Sequence, residues 1–315
     1  MWANAKNHWF LISIGLCFGA GYFAESWLAP ITQIPLLRDG VVFVVMWAMG
    51  VTLAADTVRE SIAKPTAALL AILINVFVVP LLALPSQWFL PAGVFGGLFV
   101  AALIPCTLAS ASVWTRRAGG DDSVTMMTTV VTNLACIAVV PIGLTMVLSR
   151  VSNISATDQI LKLSILVALP LVIAQTMRGM GAAGWADRNK PRLSLLGQCG
   201  ILVMVVFGAI ASRQTVDLDG GESLNWPTLV ILCLAAAAIH TTAFAIGIVA
   251  SRGMGIDRDR QIAVGIGGSQ KTLMVGLQIA IDCGVSVVPM LVYHLSQLVI
   301  DTAIVDRWKK KDNER

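Results

Sequence analysis

Gly265-Ile266-Gly267-Gly268-Ser269-Gln270-Lys271-Thr272-Leu273-Met274-Val275-Gly276-Leu277-Gln278-Ile279-Ala280 is apolar at both ends and polar in its middle. Two adjacent glycines precede Ser269, Gln270, Lys271 and Thr272. In a bilayer, a Lys at mid-depth costs about 2.5–3.5 kcal/mol unless something pairs with it. Glycines beside it weaken a helix and free backbone groups to meet a ligand. The stretch therefore reads as a broken transmembrane helix carrying a binding site, provided the rest of the chain is a membrane protein.

It is. The 315 residues are 57% hydrophobic and 13% charged, where soluble domains carry about 25% charge, and the mean hydropathy is +0.80. So few charges cannot cover a soluble protein of this size. The net charge of +4 is spread between apolar runs rather than along one stripe, which argues against nucleic-acid binding. Cys17, Cys106, Cys136, Cys199, Cys233 and Cys283 lie in or at the ends of apolar runs without metal-ligand spacing, and read as small packing residues.

Working outward, apolar runs occur at about 9–29, 40–55, 65–84, 91–115, 123–148, 160–177, 193–211, 226–250, 261–282 and 285–305. The first has only Lys6 before it and a second run directly after, so it reads as a retained helix rather than a signal peptide. Ten spans with the N-terminus inside place 17 Lys and Arg on the inner side, from Lys6, Arg59 and Lys64 to Arg315. The outer side holds Arg38, Arg150, Lys162 and Arg213. This asymmetry predicts a multi-pass protein of the cell (inner) membrane with both termini cytoplasmic. A polar joint at 149–157 divides the runs into five and five. Five is odd, so the halves, about 1–150 and 157–310 of one transmembrane domain, are inverted in the membrane. Such repeats place a site at their interface. The fourth span of each half is the one interrupted by polar and helix-breaking residues, and the pair is expected to be unwound.

The candidate site residues follow from that pairing. Pro105 interrupts the fourth span, with Thr107, Ser110 and Ser112 after it. Each hydroxyl alone could simply bond back to its own helix. Thr125, Thr129 and Asn133 share one face of the fifth span, as a binding surface or as glue between helices. Asn75 is a lone amide five residues before Pro80. Ser269, Gln270, Lys271 and Thr272 complete the set, with His294 and Gln297 on one face of the last span with Asp301. Lys271 either forms a structural ion pair with Asp301, or with Asp282, or takes part in binding. The Gly-rich approach to Lys271-Thr272 lacks the Gly before Lys and any preceding strand, which excludes a nucleotide-binding loop. No catalytic pair is found within the spans, so no enzyme is expected.

Several motifs carry a family resemblance. Met46-Trp47-Ala48-Met49-Gly50-Val51-Thr52-Leu53, Lys64-Pro65, Asn75–Leu82, Pro105–Ser112 and the Gly119-Gly120-Asp121 turn together resemble the bile acid:sodium symporter superfamily. Gly268–Thr272 and Tyr293–Leu298 are similar to its sodium/bile acid cotransporter 7-like branch. The resemblance implies an all-α polytopic membrane fold of ten helices. Spans 3–5 and 8–10 would form a core and spans 1, 2, 6 and 7 a panel, with spans 4 and 9 crossing where they unwind. It implies sodium coupling and a small organic anion as solute, with no other cofactor. The family's sodium sites map to Ser110 followed by Ala111 where the family has Asn, to Thr125 and Thr129, to Asn75 and to Gln270. Lys271 stands where the family has Asn, and Ile266 where it has Glu. A carboxylate is lost and an ammonium gained, which predicts an altered cation site. Transport of organic anions, coupled to sodium or to protons, is the expectation; a non-transporting sensor or regulator on the same fold is the alternative. Substrate identity and oligomeric state are not legible.

Overall fold

Proline opens or interrupts several of the helices, at Pro35 and Pro105 among others. The computed structural model describes residues 9–32, 34–53, 65–108, 110–148, 155–219 and 225–313. Lys6, Arg59, Lys64, Arg150 and Arg315 of the charge asymmetry, and most of the 149–157 joint, lie outside them. Among the described residues the chain is helical, with no strand. In chain order the helices are α1 (Trp9–Phe23), α2 (Glu25–Thr32), α3 (Pro35–Val51), α4 (Thr66–Trp88), α5 (Ala92–Leu103), α6 (Ser110–Arg117), α7 (Asp122–Leu148), α8 (Ala156–Arg188), α9 (Lys190–Asp219), α10 (Trp226–Gly253), α11 (Arg258–Ser269), α12 (Leu273–Asp282) and α13 (Val288–Asn313).

Six of these are long and apolar enough to cross a membrane, and α1 with α2 makes a seventh if the pair, bent by 96°, is one span. The chain is thus a multi-pass membrane protein. The short helices are informative. The 12 residues of α5 and of α11 rise about 18 Å at 1.5 Å per residue, well short of the ~30 Å apolar thickness of a bilayer.

Each short helix continues into a second one. Ile104 precedes Pro105 and turns to φ −63°, ψ 158°, as a residue before proline prefers, and α6 resumes at Ser110. After α11, Gln270 (φ −75°, ψ 143°) and Thr272 (φ −76°, ψ 139°) are extended, and α12 follows at once. Both interruptions fall where the sequence expects them. Bounds shift elsewhere: the second apolar run starts earlier, because Pro35 opens its helix, and α13 starts at Val288 after a turn at Gly284 (φ 65°).

Close packing fixes α11 from behind. A Cβ on Gly247 of α10 would stand 3.0 Å from the Gly265 Cα, so these two helices touch backbone to backbone. Within α4, residues Ile74–Val78 form one π-helical turn. Val79 N–H therefore reaches back to the Ile74 carbonyl instead of to Asn75. The next residue, Pro80, has no N–H. The Asn75 carbonyl is left without a helical donor.

Candidate functional site

The two breaks meet. Thr272 N–H donates to the Pro105 carbonyl at 2.9 Å, joining the strand-like ends of α11 and α5. Lys271, one residue earlier, is 2% exposed. Its ammonium donates to the Asn75 carbonyl at 2.6 Å, to the Ile104 carbonyl at 2.9 Å and to Asn75 Oδ1 at 3.1 Å. Three N–H groups meet three acceptors, the full capacity of an ammonium. Both carbonyls are available for identifiable reasons: the π turn with Pro80 frees Asn75, and the Pro105 break frees Ile104. A buried charge is tolerated when its hydrogen bonds are complete. Here no carboxylate is involved.

Of the alternatives for Lys271, the ion pair with Asp301 is not formed. Successive residues in extended backbone point to opposite sides, so Gln270 and Lys271 diverge. Gln270 Nε2 donates to Asp301 Oδ2, while Lys271 turns toward α4 and α5. The other oxygen of Asp301 shares a hydrogen bond of 2.9 Å with His240 Nε2 on α10. His240 Nδ1 lies 3.3 Å from the Ser269 carbonyl, which also accepts from Tyr293 OH at 3.1 Å. His240 and Tyr293 were not among the expected site residues. The signal for His240 is the one imidazole in a run, 226–250, without Asp, Glu, Lys or Arg, a functional pointer in its own right. Asp282 is not Lys271's partner either; it pairs with Arg38 and Lys162.

Side chains from three helices hold the second break in shape. Gln297 of α13 clamps the Lys271 backbone twice, accepting its N–H at 2.9 Å and donating to its carbonyl at 3.0 Å. The same Nε2 meets His294 Nδ1 at 3.0 Å, so His294 orients the clamp. Asn75 Nδ2 points at the carbonyls of Gly267, Gly268 and Gln270 at 3.3, 3.3 and 2.9 Å. Asn75 thus accepts from Lys271 and donates to the backbone beside it.

The first break is held by α7. Cys106 N–H donates to Thr132 Oγ1 at 3.1 Å, Thr129 Oγ1 to the Thr107 carbonyl at 3.1 Å, and Asn133 Nδ2 to the Cys106 carbonyl at 3.0 Å. Asn133 Oδ1 is buried without a hydrogen-bond partner. Half-buried Ser110 ties the breaks together, donating to Gln270 Oε1 at 3.0 Å and lying 3.3 Å from Thr107 Oγ1. Of the remaining expected residues, Ser112 is buried two residues further along α6. Thr125 sits against Gly267, yet its hydroxyl bonds back to the Asp122 carbonyl at 2.9 Å. Ser269 Oγ likewise returns to the Gly265 carbonyl at 2.8 Å. These last two take the plainer, structural option. What the crossing offers chemically is a cluster of hard oxygen acceptors with one fixed positive charge among them.

The sequence model of the SBF-like CPA transporter family matches residues 8–310. The chain is also 26% identical over 226 residues to the uncharacterized protein PA2026 of Pseudomonas aeruginosa, over 70% of this chain and 66% of that protein. It is 26% identical over 248 residues to "Probable sodium/metabolite cotransporter BASS4, chloroplastic" of Oryza sativa subsp. indica, covering 72% and 57% of the two chains. To sodium/bile acid cotransporter 7-A of Xenopus laevis it is 23% identical over 230 residues, covering 70% and 64%. The match thus spans less than two thirds of each of these three relatives' own length. The chain belongs to the SBF-like CPA transporter family, in the bile acid:sodium symporter family at large, which is a family of transporters and not of enzymes.

Proposed function

We propose that the chain is a secondary active transporter of small organic anions in which the Lys271 ammonium takes the place of a bound sodium ion. The observation that carries this reading is the ammonium on the oxygens of Asn75 and Ile104 where the two breaks touch. Two backbone carbonyls and an amide oxygen are ligands an alkali cation prefers, and a tethered ammonium among them removes the need for a free one. The relatives named as sodium/metabolite and sodium/bile acid cotransporters support the solute class at the level of the family.

In this reading the protein is a single transport domain with ten spans. The pair α1–α2 is the first, α3 the second, α4 the third, α5–α6 the fourth and α7 the fifth. Then α8, α9 and α10 are the sixth to eighth, α11–α12 the ninth and α13 the tenth. The halves, about 1–150 and 157–310, are inverted repeats. Spans 3–5 and 8–10 form a core that carries the crossing, and spans 1, 2, 6 and 7 form the panel against which it moves. Both termini face the cytoplasm at the cell (inner) membrane. Asn75, Thr107, Ser110, Thr129, Asn133, Gln270 and Lys271 line or shape the site; Gln297 and His294 position it.

Proteoliposome uptake of labelled taurocholate and of labelled benzoate, with sodium against choline, tests the proposal. Uptake is expected to be equal in the two cations, and Lys271→Asn to lose uptake in choline and recover part of it in sodium. Strict sodium dependence together with an unaltered Lys271→Asn variant overturns the ammonium reading. Absence of any flux of either anion would favour the sensor alternative.

A further inference from the structure

Charged side chains from three helices converge at the end of the bundle away from α6. Arg38 and Asp39 are on α3, Lys162 is on α8, and Gln278 and Asp282 are on α12. Arg38 Nη2 and Lys162 Nζ both donate to the Asp282 carboxylate, at 2.6 and 2.8 Å. Gln278 Nε2 donates to Asp39 Oδ1 at 2.9 Å and to Asp282 Oδ2 at 3.1 Å, and Lys162 Nζ is 3.6 Å from Asp39 Oδ1. A guanidinium can grip a carboxylate with two parallel N–H groups. Here Arg38 uses one, and its Nε is buried without a partner. Some 25% of the Arg38 side chain and 29% of Lys162 are open to solvent, so a dissolved anion can reach both.

The distribution over helices matters more than the number of charges. Both cations sit on α3 and α8, and the carboxylate they share sits on α12. We propose that Arg38 and Lys162 form a carboxylate-binding site at the outer mouth, which Asp282 fills in this conformation and a free monocarboxylate fills when α12 moves away. The place of this site in a transport cycle rests on the reading of α3 and α8 as panel and α12 as core. Once Asp282 leaves, Asp39 offsets one of the two cations and a net positive charge stays at the mouth. Asp282 then acts as a tethered competitor. An anion that replaces it captures the site and removes a cross-link between the two moving parts.

Isothermal titration of the purified full-length protein in detergent with benzoate, and with benzyl alcohol as the uncharged control, tests this. Partly exposed charge pairs are individually weak, so with two such bonds to Asp282 removed, Asp282→Asn is expected to bind benzoate roughly fivefold to tenfold more tightly than the unmodified chain. The double variant Arg38→Gln/Asp282→Asn is expected to lose that gain. Equal affinity of Asp282→Asn and the unmodified chain, or binding in the double variant as tight as in Asp282→Asn, overturns the proposal. Should Asp282→Asn not purify in folded form, Arg38→Gln alone keeps Asp282 and must still weaken benzoate binding; unchanged binding there is equally fatal. None of these readouts needs flux. Proteoliposomes that show no flux while benzoate affinity follows the expected order sink the transport reading only. Flux with benzoate affinity indifferent to the variants sinks the mouth site only.

Discussion

The two breaks share a geometry and differ in chemistry. Both interrupt a helix for a few residues, and they touch through one backbone hydrogen bond, Thr272 N–H to the Pro105 carbonyl. The break after α5 supplies acceptors: the carbonyls of Ile104 and Pro105 receive hydrogen bonds from Lys271 and Thr272 of the other break, and those of Cys106 and Thr107 from Asn133 and Thr129 of α7. The break after α11 supplies the charged donor and three long polar side chains' worth of contacts through Gln270, Lys271 and their partners. Proline makes the first break by steric exclusion, and α7 stitches it. The second falls at Gln270–Thr272, just past glycines that are still helical, and side chains from α4, α10 and α13 impose its shape. A proline break is thus robust to its surroundings, while the second break is only as well defined as the side chains around it.

That contrast can be broken experimentally, and the largest effect is expected at the donor. Lys271→Met leaves three buried oxygens without a proton, at about 1–3 kcal/mol each. We expect a loss of roughly 3–5 kcal/mol in detergent denaturation, after allowing for relaxation and entry of water. A Tm unchanged within a degree would show that the ammonium is not held as described. Asn75→Leu removes one acceptor and a donor facing three carbonyls, and should destabilise by about 2–4 kcal/mol. In proteoliposomes it should impair uptake as strongly as Lys271→Met.

Two smaller changes sharpen the comparison. Gln297→Leu removes the two-point clamp on the Lys271 backbone and is expected to cost about 1–3 kcal/mol. It should increase hydrogen exchange at the Lys271 amide in particular; equal exchange would mean the clamp is redundant. Thr132→Val keeps shape and removes the acceptor for Cys106 N–H together with the hydroxyl's bond back to the Thr128 carbonyl, a change of about 1 kcal/mol at a break that Pro105 enforces anyway. If Thr132→Val proves more damaging than Gln297→Leu, the ranking of the two breaks is reversed.

Much of this was legible in the residues. Pro105, the Gly267-Gly268 pair and Lys271 in an apolar run announce both interruptions, because helix-breaking and charge at mid-span are local properties. The partners were not, because they depend on the rotation of distant helices. The direction of Lys271 follows from the extended backbone around it, which sends neighbouring side chains to opposite sides. His240 reads in sequence as a polar residue between an alanine-rich stretch and two threonines, and only the packing of α10 against α13 brings it to Asp301. The role of Asn75 hides in a spacing, five residues to Pro80, whose meaning needs the π turn between them.

The distance along the chain between the parts of the crossing bears on how the protein is made. Lys271 reaches back 167 positions to Ile104 and 196 to Asn75. At about 5–20 residues added per second, the ribosome needs roughly ten to thirty seconds to cover the first interval. Until then the two freed carbonyls enter the membrane without their ammonium, where unmet backbone polar groups are poorly tolerated. Water or an insertion factor must satisfy them meanwhile. Arrival of α11 and α12 is therefore the step at which α4 and α5 can exchange that borrowed hydration for the lysine.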